Sequence, residues 1–218
     1  EGKIVNKFLD MQRPNNVDVA YGLDINGVKT DIAVTTERKS NTIRIFSLPD
    51  LKPIDNGGIP IFEGEQGEDE RDGMGIALYT QKADSTSSTI YAIVGRKTGP
   101  SGTYLWQYKL SAGQDGIVHG EVIRKFGTYS GKKEIEAIAV DNELGYVYYS
   151  DETSGIRKYY ADPARGNEEL AFFGQQDALR DHEGIAIYKQ ENGTGYILVS
   201  DQQKNSFLVY DRAGTAGD

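Results

Sequence analysis

The sequence has no cysteine among its 218 residues and only two histidines, His119 and His182. Disulfide bonds, thiol nucleophiles and zinc–thiolate sites are therefore excluded, and cysteine usage does not indicate a cellular compartment. No apolar run approaches the roughly 20 residues that a membrane helix needs, so no membrane partner is expected. Lysine and arginine (24) are outnumbered by aspartate and glutamate (33), which gives a net charge of −9. Because basic side chains hold phosphate backbones, nucleic acid is not expected as a partner.

Sequence signatures of common catalytic sites are also missing. There is no Gly-x-Ser-x-Gly nucleophile elbow, so Asp181, His182 and Ser200 do not support a catalytic triad, and no Walker-type phosphate loop occurs. We interpret His182 instead as a turn residue or a hydrogen-bonding neighbour of a site. The acidic run at 63–72 is interpreted as a solvated linker, with a peripheral calcium site as the alternative.

Glycine and tyrosine are abundant, with 26 and 14 copies, as expected for half-buried strands joined by tight turns. A short phrase recurs before similar apolar stretches: GIA at 75–77, EAIA at 136–139 and EGIA at 183–186. Around it the chain divides into four units of roughly 45–60 residues, which is typical of a β-propeller. The prediction is an all-β fold, a single propeller domain of four-stranded antiparallel blades over residues 1–218. The predicted strands are 17–21, 30–35, 42–46, 59–62, 75–79, 90–94, 104–108, 122–126, 137–140, 146–149, 156–160, 170–173, 184–188, 196–200 and 206–210.

One further strand is predicted alone at 3–9, ahead of the first unit, and the last unit has only three strands. Either the first strand closes the last blade, which gives four blades, or blades are missing at both ends. The strand count does not choose between these two arrangements.

Two kinds of loop can reach the channel mouth of a propeller: the segment before each innermost strand and the loop between the second and third strands. Asp181 and Glu183 stand one residue apart before a predicted inner strand, so their side chains point to the same side. Arginine and lysine residues nearby would suit an anion such as phosphate. The charged residues at these positions are Asp18, Asp72, Glu134, Glu136, Asp181 and Glu183 before inner strands, and Glu37, Arg38, Lys39, Arg96, Lys97, Asp151, Glu152, Asp201 and Lys204 in the second kind of loop.

This set of side chains favours a hard metal ion. Close carboxylates repel one another unless a cation neutralises them or one of them takes a proton. Oxygen ligands without cysteine favour Ca²⁺ over zinc or iron. Carboxylates that hold Ca²⁺ beside arginine and lysine describe a site for a polyanion that arrives with metal. Metal bound there could also activate water for in-line attack on phosphorus.

Four stretches carry a resemblance to a known family: NNVDV at 15–19, NTIRI at 41–45, EAIAVD at 136–141 with Leu144-Gly145, and DHEGIAIY at 181–188. With these stretches the sequence resembles the β-propeller phytases, the calcium-dependent alkaline phytases of bacilli and related bacteria. The similarity runs in the same order across nearly the whole chain. It implies a six-bladed propeller, of which about four blades are represented here, with the domain incomplete at both ends.

The resemblance implies a phosphoric monoester hydrolase, a phosphatase of the 3-phytase type, that acts on calcium phytate (myo-inositol hexakisphosphate). Several Ca²⁺ ions would lie in the channel mouth, and attack by a calcium-activated water would release inorganic phosphate. By match to the family's motifs, the phosphate-binding cations, which also act in catalysis, are Arg38 and Lys97. The matched calcium-binding carboxylates are Glu136, Glu152, Asp181 and Glu183, of which the last two also hold the attacking water.

The chain departs from the family pattern at several points. Met74 stands where the family usually has a tyrosine, and Thr98 where a carboxylate often follows the family's lysine. The family's first-blade lysine and its Asp-rich segments have no counterpart, so whether this chain alone is active is left open.

Further expectations follow from the same resemblance. The protein is expected to be a secreted monomer whose partner is a small-molecule substrate, with no signal peptide in this chain. Two alternatives remain: a non-catalytic propeller that binds calcium or a protein partner, and another calcium-dependent propeller hydrolase such as a lactonase.

Overall fold

The computed structural model describes residues 2–84, 87–177 and 182–215. These residues form sixteen β-strands and three short 3₁₀ turns, and no α-helix occurs within them. None of the described helical segments is long and apolar enough to cross a membrane. All strand pairs are antiparallel and fall into four separate sheets. The predicted all-β fold with propeller blades is confirmed as a segment of four blades.

Each sheet is one blade, and its strands follow chain order outward from the channel. Blade 1 contains β1 (Pro14–Ile25), β2 (Val28–Glu37), β3 (Thr42–Ser47), β4 (Lys52–Pro53) and β5 (Ile59–Pro60). Blade 2 contains β6 (Gly73–Lys82), β7 (Ser88–Arg96), β8 (Leu105–Ala112) and β9 (Val118–Phe126). Blade 3 contains β10 (Ile138–Asp141), β11 (Tyr146–Asp151), β12 (Gly155–Tyr160) and β13 (Glu169–Phe173). Blade 4 contains β14 (Ile185–Lys189), β15 (Gly195–Asp201) and β16 (Ser206–Asp211), and the 3₁₀ turns are Pro163–Arg165, Glu191–Gly193 and Gln202–Lys204.

The apolar core lies between neighbouring blades. One cluster around Trp106 joins blades 1 and 2, a second around Tyr149 joins blades 2 and 3, and a third around Phe173 joins blades 3 and 4. The inner strands approach each other closely, since a Cβ on Gly75 of β6 would overlap the backbone oxygen of Glu136. This crowding explains the glycine at position 75.

The antiparallel register places the start of each inner strand beside the end of the second strand. The paired residues are Pro14 and Glu37 in blade 1, Gly73 and Arg96 in blade 2, Ile138 and Tyr149 in blade 3, and Ile185 and Val199 in blade 4. Both kinds of loop that carry the predicted site residues therefore meet at one end of the molecule.

The prediction of a strand at 3–9 is wrong. The Phe8 ring packs 5.0 Å from that of Phe46, and the Asn6 side-chain amide donates to the Pro49 carbonyl oxygen at 2.9 Å. The segment thus lies against the outer part of blade 1, where β4 and β5 already pair with β3. Within the described ranges β16 pairs with β15 alone, so the first segment does not close the last blade.

Candidate active site

Residues from the inner strands of all four blades line a cavity of about 330 Å³ in the channel. Three carboxylate-bearing residues contribute to its wall: Asp18 of β1, Glu136 before β10 and Glu183 before β14. Two of the predicted calcium ligands, Glu136 and Glu183, are therefore brought to the same cavity.

The Asp18 side chain belongs to blade 1 but accepts a hydrogen bond from blade 2. Its carboxylate accepts hydrogen bonds from the backbone N–H of Leu78 at 2.7 Å and of Val19 at 2.8 Å. Burial raises the pKa of Asp18, and these two bonds only partly offset that effect. A cation in the cavity would favour the ionised carboxylate.

Two asparagines fix the position of Glu136. The side-chain amide of Asn16 donates to the Glu136 carbonyl oxygen at 3.0 Å, and that of Asn15 donates to its carboxylate at 3.4 Å. These bonds join the start of β1 to the segment before β10 across the channel mouth. The sequence stretch that contains Asn15 and Asn16 carried the family resemblance, but this role was not predicted.

Glu183 follows a fully buried histidine. Nδ1 of His182 lies 2.8 Å from the Ser150 hydroxyl, so the segment before β14 is anchored to β11 of blade 3. This agrees with the interpretation of His182 as a hydrogen-bonding neighbour of the site. Asp181, predicted to form an acidic pair with Glu183, lies outside the described residues.

The two predicted phosphate-binding cations come from equivalent turns of blades 1 and 2 and meet at Asp72. Nη2 of Arg38 lies 3.6 Å from the Asp72 carboxylate, and the backbone N–H of Lys97 donates to the Asp72 carbonyl oxygen at 3.0 Å. Nζ of Lys97 donates to the Asp69 carboxylate at 2.5 Å. That hydrogen bond raises the pKa of Lys97, whereas the nearby charge of Arg38 acts to lower it. The two cations are thus neighbours.

The guanidinium of Arg38 has hydrogen-bonding capacity to spare. Arg38 is only 9% exposed, and its Nε has no hydrogen-bond partner among the described residues. Its 3.6 Å separation from Asp72 is also longer than a hydrogen bond. Because a buried donor without an acceptor is costly, Arg38 is suited to an anion with several oxygens.

Glu152 is buried in the turn between β11 and β12. Its charge, with those of Asp151 and Glu134, acts on the Tyr129 hydroxyl, whose pKa is raised chiefly by burial. Glu152 therefore lies in a turn at the edge of blade 3 and is not among the residues that line the 330 Å³ cavity.

Several other candidate charges form ion pairs within the fold. Arg96 is fully buried, lies over the Phe62 ring at 4.8 Å and is 3.2 Å from the Glu65 carboxylate. Asp151 is fully buried and lies 2.8 Å from Arg157. These residues stabilise blade ends, and they are better described as structural salt bridges than as channel ligands.

The acidic run at 63–72 is exposed over residues 63–64 and 66–68, as the interpretation of a solvated linker expects, but three of its carboxylates also pair with cations. Glu65 contacts Arg96, Asp69 contacts Lys97, and Asp72 contacts Arg38. Asp69 was predicted only as a member of this run, and its pairing with Lys97 was not predicted. The available signal was the charge of the run, which is opposite to that of the two cationic turns.

The sequence of the chain is similar to those of known proteins. The family model described as Phytase matches residues 1–217. The chain belongs to the phytase family. A 3-phytase from Bacillus subtilis (strain 168) is 31% identical over 222 aligned residues, which cover 98% of this chain and 54% of that protein. The phytase-family chain thus spans about half the length of this curated relative.

The donor atoms of this phytase-family chain agree in kind with calcium. Carboxylate oxygens of Asp18, Glu136 and Glu183 are the hard ligands that Ca²⁺ takes. In the part of the chain that the structure describes, however, no three or more Asp, Glu, His or Cys residues are grouped to hold a metal ion. The described residues therefore match calcium in chemistry without forming a complete ligand set, and Asp181 lies outside them.

Proposed function

We propose that this chain carries the site of a calcium-dependent phytase, a phosphoric monoester hydrolase that acts on calcium phytate. The observation that carries the proposal is that carboxylates and cations gather at one end of the channel. Glu136 and Glu183 line the cavity, and Arg38 and Lys97 meet at Asp72. Family membership and the similarity to a protein named 3-phytase support the same substrate. Phytate carries phosphate groups around its ring, so one molecule can engage both groups of residues.

Each residue has a distinct role in the proposal. Arg38 binds phosphate oxygens through its guanidinium, including the Nε that lacks a partner in the described structure. Lys97 adds a mobile point charge to the same phosphate. Glu183 orients the attacking water and accepts its proton, and Glu136, held by Asn16, would hold metal. Bound calcium would neutralise substrate charge and lower the pKa of the water.

The proposal has further parts that rest on the family resemblance. In these parts, several Ca²⁺ ions bind, and Asp181 and Glu152 complete their ligand set. Water attacks the phosphate directly, and the protein is secreted and monomeric.

The direct test is phosphate release from phytate by the purified protein, measured with Ca²⁺ and then with excess chelator. We expect release with calcium, loss of release with chelator and recovery when calcium is added back. Equal rates in both conditions would rule out the mechanism. Calcium binding without phosphate release would favour the non-catalytic module, and hydrolysis of lactones but not phytate would favour a lactonase.

Glu183→Gln tests the assignment of the base. We expect phosphate release to fall by at least about 100-fold, since the amide cannot accept the proton. Glu191→Gln is the matched control, because Glu191 lies in an exposed turn of the same blade. If both variants kept wild-type rates, Glu183 would not be the base.

A further inference from the structure

The two cations that the proposed function assigns to phosphate already pair with carboxylates of the protein. Asp69 accepts a hydrogen bond from Lys97 at 2.5 Å, and Asp72 lies 3.6 Å from Arg38. A carboxylate offers lysine and arginine the same kind of acceptor oxygen that a phosphate does. An arriving phosphate therefore competes with these carboxylates for the two cations.

The two ion pairs are held differently. The side chains of Lys97 and Asp69 are 37% and 38% exposed, so the Asp69 carboxylate can move into water at little cost. Arg38 is nine-tenths buried and its Nε lacks a partner within the described ranges, so its guanidinium stays in place with a donor unused. The cluster thus combines a displaceable anion with a fixed, under-satisfied cation.

We infer that Asp69 and Asp72 are specificity-determining counter-ions, which disfavour a free phosphate and favour one that arrives with a divalent cation. Two cations and two carboxylates sum to zero charge, and a protein of net charge −9 repels a polyanion further. A divalent cation brought by the substrate neutralises the carboxylates that phosphate displaces. The inference rests on the proposed function, because it takes Arg38 and Lys97 as the phosphate-binding cations.

The test is equilibrium binding of phytate to the 218-residue chain, with calcium and with chelator, at micromolar concentrations that keep calcium phytate dissolved. The wild type is compared with Asp69→Asn, with Asp69→Asn/Asp72→Asn and with Asp24→Asn. The last is a matched control, since Asp24 pairs with Lys29 at 3.2 Å at the opposite end of blade 1. In chelator, we expect the double variant to bind phytate about tenfold more tightly than the wild type. The ratio between its phytate affinities with calcium and with chelator should be about tenfold smaller than in the wild type. Asp24→Asn should behave as the wild type.

Weaker or unchanged binding by the Asn variants in chelator would overturn the inference, because the carboxylates would then only position the cations. A wild-type chain that binds no phytate with calcium would instead contradict the proposed function. In that case, phytate binding by the double variant would still show that Asp69 and Asp72 block the two cations. If neither protein bound phytate, the inference would be overturned. Melting curves report whether each variant is folded, and Asp69→Asn alone decides the outcome if the double variant is not.

Discussion

Single residues at the blade ends show how the fold treats buried charge. Asp141 ends β10 in blade 3, Arg212 follows β16 in blade 4, and both side chains are fully buried. Nη2 of Arg212 donates to the Asp141 carboxylate at 2.8 Å, so the pair clamps the two blades together. Without Asp141, the buried guanidinium would keep the half-exposed Glu143 carboxylate, at 2.8 Å, as its remaining acidic partner within the described residues.

Asp141→Asn should lower the free energy of unfolding by about 1.5–3 kcal/mol at neutral pH, because charge-assisted hydrogen bonds to Arg212 are lost while Glu143 remains. Burial acts to raise the pKa of Asp141, but hydrogen bonds from Arg212 and two backbone amides outweigh it and hold the pKa below its usual value. The stability from this carboxylate is thus present above its unfolded pKa and is lost as pH falls through its folded pKa. The free energy of unfolding, measured in urea from neutral pH to below about pH 4, should therefore fall less at acid pH in the variant than in the wild type. Asp50→Asn, at an exposed loop position, is the control, and equal midpoints for both variants would contradict the clamp.

Residue positions could be predicted where they depend on the repeat alone. Glu136 and Glu183 both precede inner strands, so the phrase that they share placed them at the channel. Position in the repeat could not distinguish Arg96 from Lys97, which only the match to the family's motifs separated, because adjacent side chains on extended backbone point in opposite directions. Which of the two enters the interior depends on Phe62, from another part of the chain.

At the scale of the strand, the recurring phrase makes equivalent positions directly comparable. Gly75 and Gly184 begin the same phrase in blades 2 and 4. A Cβ on Gly75 would overlap the backbone oxygen of Glu136, whereas a Cβ on Gly184 meets only the Ser200 hydroxyl, at 3.5 Å. The same substitution should thus have different effects in the two blades.

Gly75→Ala should lower the free energy of unfolding by about 1–3 kcal/mol, because β6 and β10 must move apart. Gly184→Ala should be close to neutral. Denaturant unfolding of both variants measures the difference, and equal stability would show that the inner strands separate without cost. Calcium binding to the Gly75→Ala variant should also weaken, because the Glu136 backbone is displaced.

Strands in which apolar and polar residues alternate clearly could be predicted from the sequence. Strands that form only because a neighbouring strand offers an edge could not. β4 has two residues and ends in proline, so it carries no periodic signal. Residues 3–9 have the composition of a strand, yet a strand needs a free edge, and β4 and β5 already cover the outer edge of β3. Edge availability is a property of the folded sheet and is absent from the local sequence.

For the whole molecule, the blade repeat was readable from the sequence, because each unit repeats one pattern of strands. The proposed set of metal ligands was not, since it depends on side chains brought together from several blades. Glu152 illustrates this: it occupies the expected turn between β11 and β12 but is not among the residues that line the cavity.

Calcium should stabilise the folded protein if the channel carboxylates bind it. Binding to the folded form alone contributes about 2.7 kcal/mol at a free concentration 100 times the Kd, so the melting temperature should rise with calcium and fall with chelator. Glu136→Gln should reduce this shift, and Glu191→Gln should not. A melting temperature that chelator leaves unchanged would contradict calcium binding in the channel.

The hydrogen bond from Asn16 to the Glu136 carbonyl oxygen joins residues that are 120 positions apart in the chain. Closing so long a loop has an entropy cost that must be met before the contact stabilises the fold, so we expect it to form after the local strand pairs. During refolding, blades 1 and 3 can each acquire their strands before this contact closes the channel mouth. Recovery of the site should then lag behind recovery of β-structure during refolding, and calcium binding followed alongside far-ultraviolet circular dichroism would measure that lag.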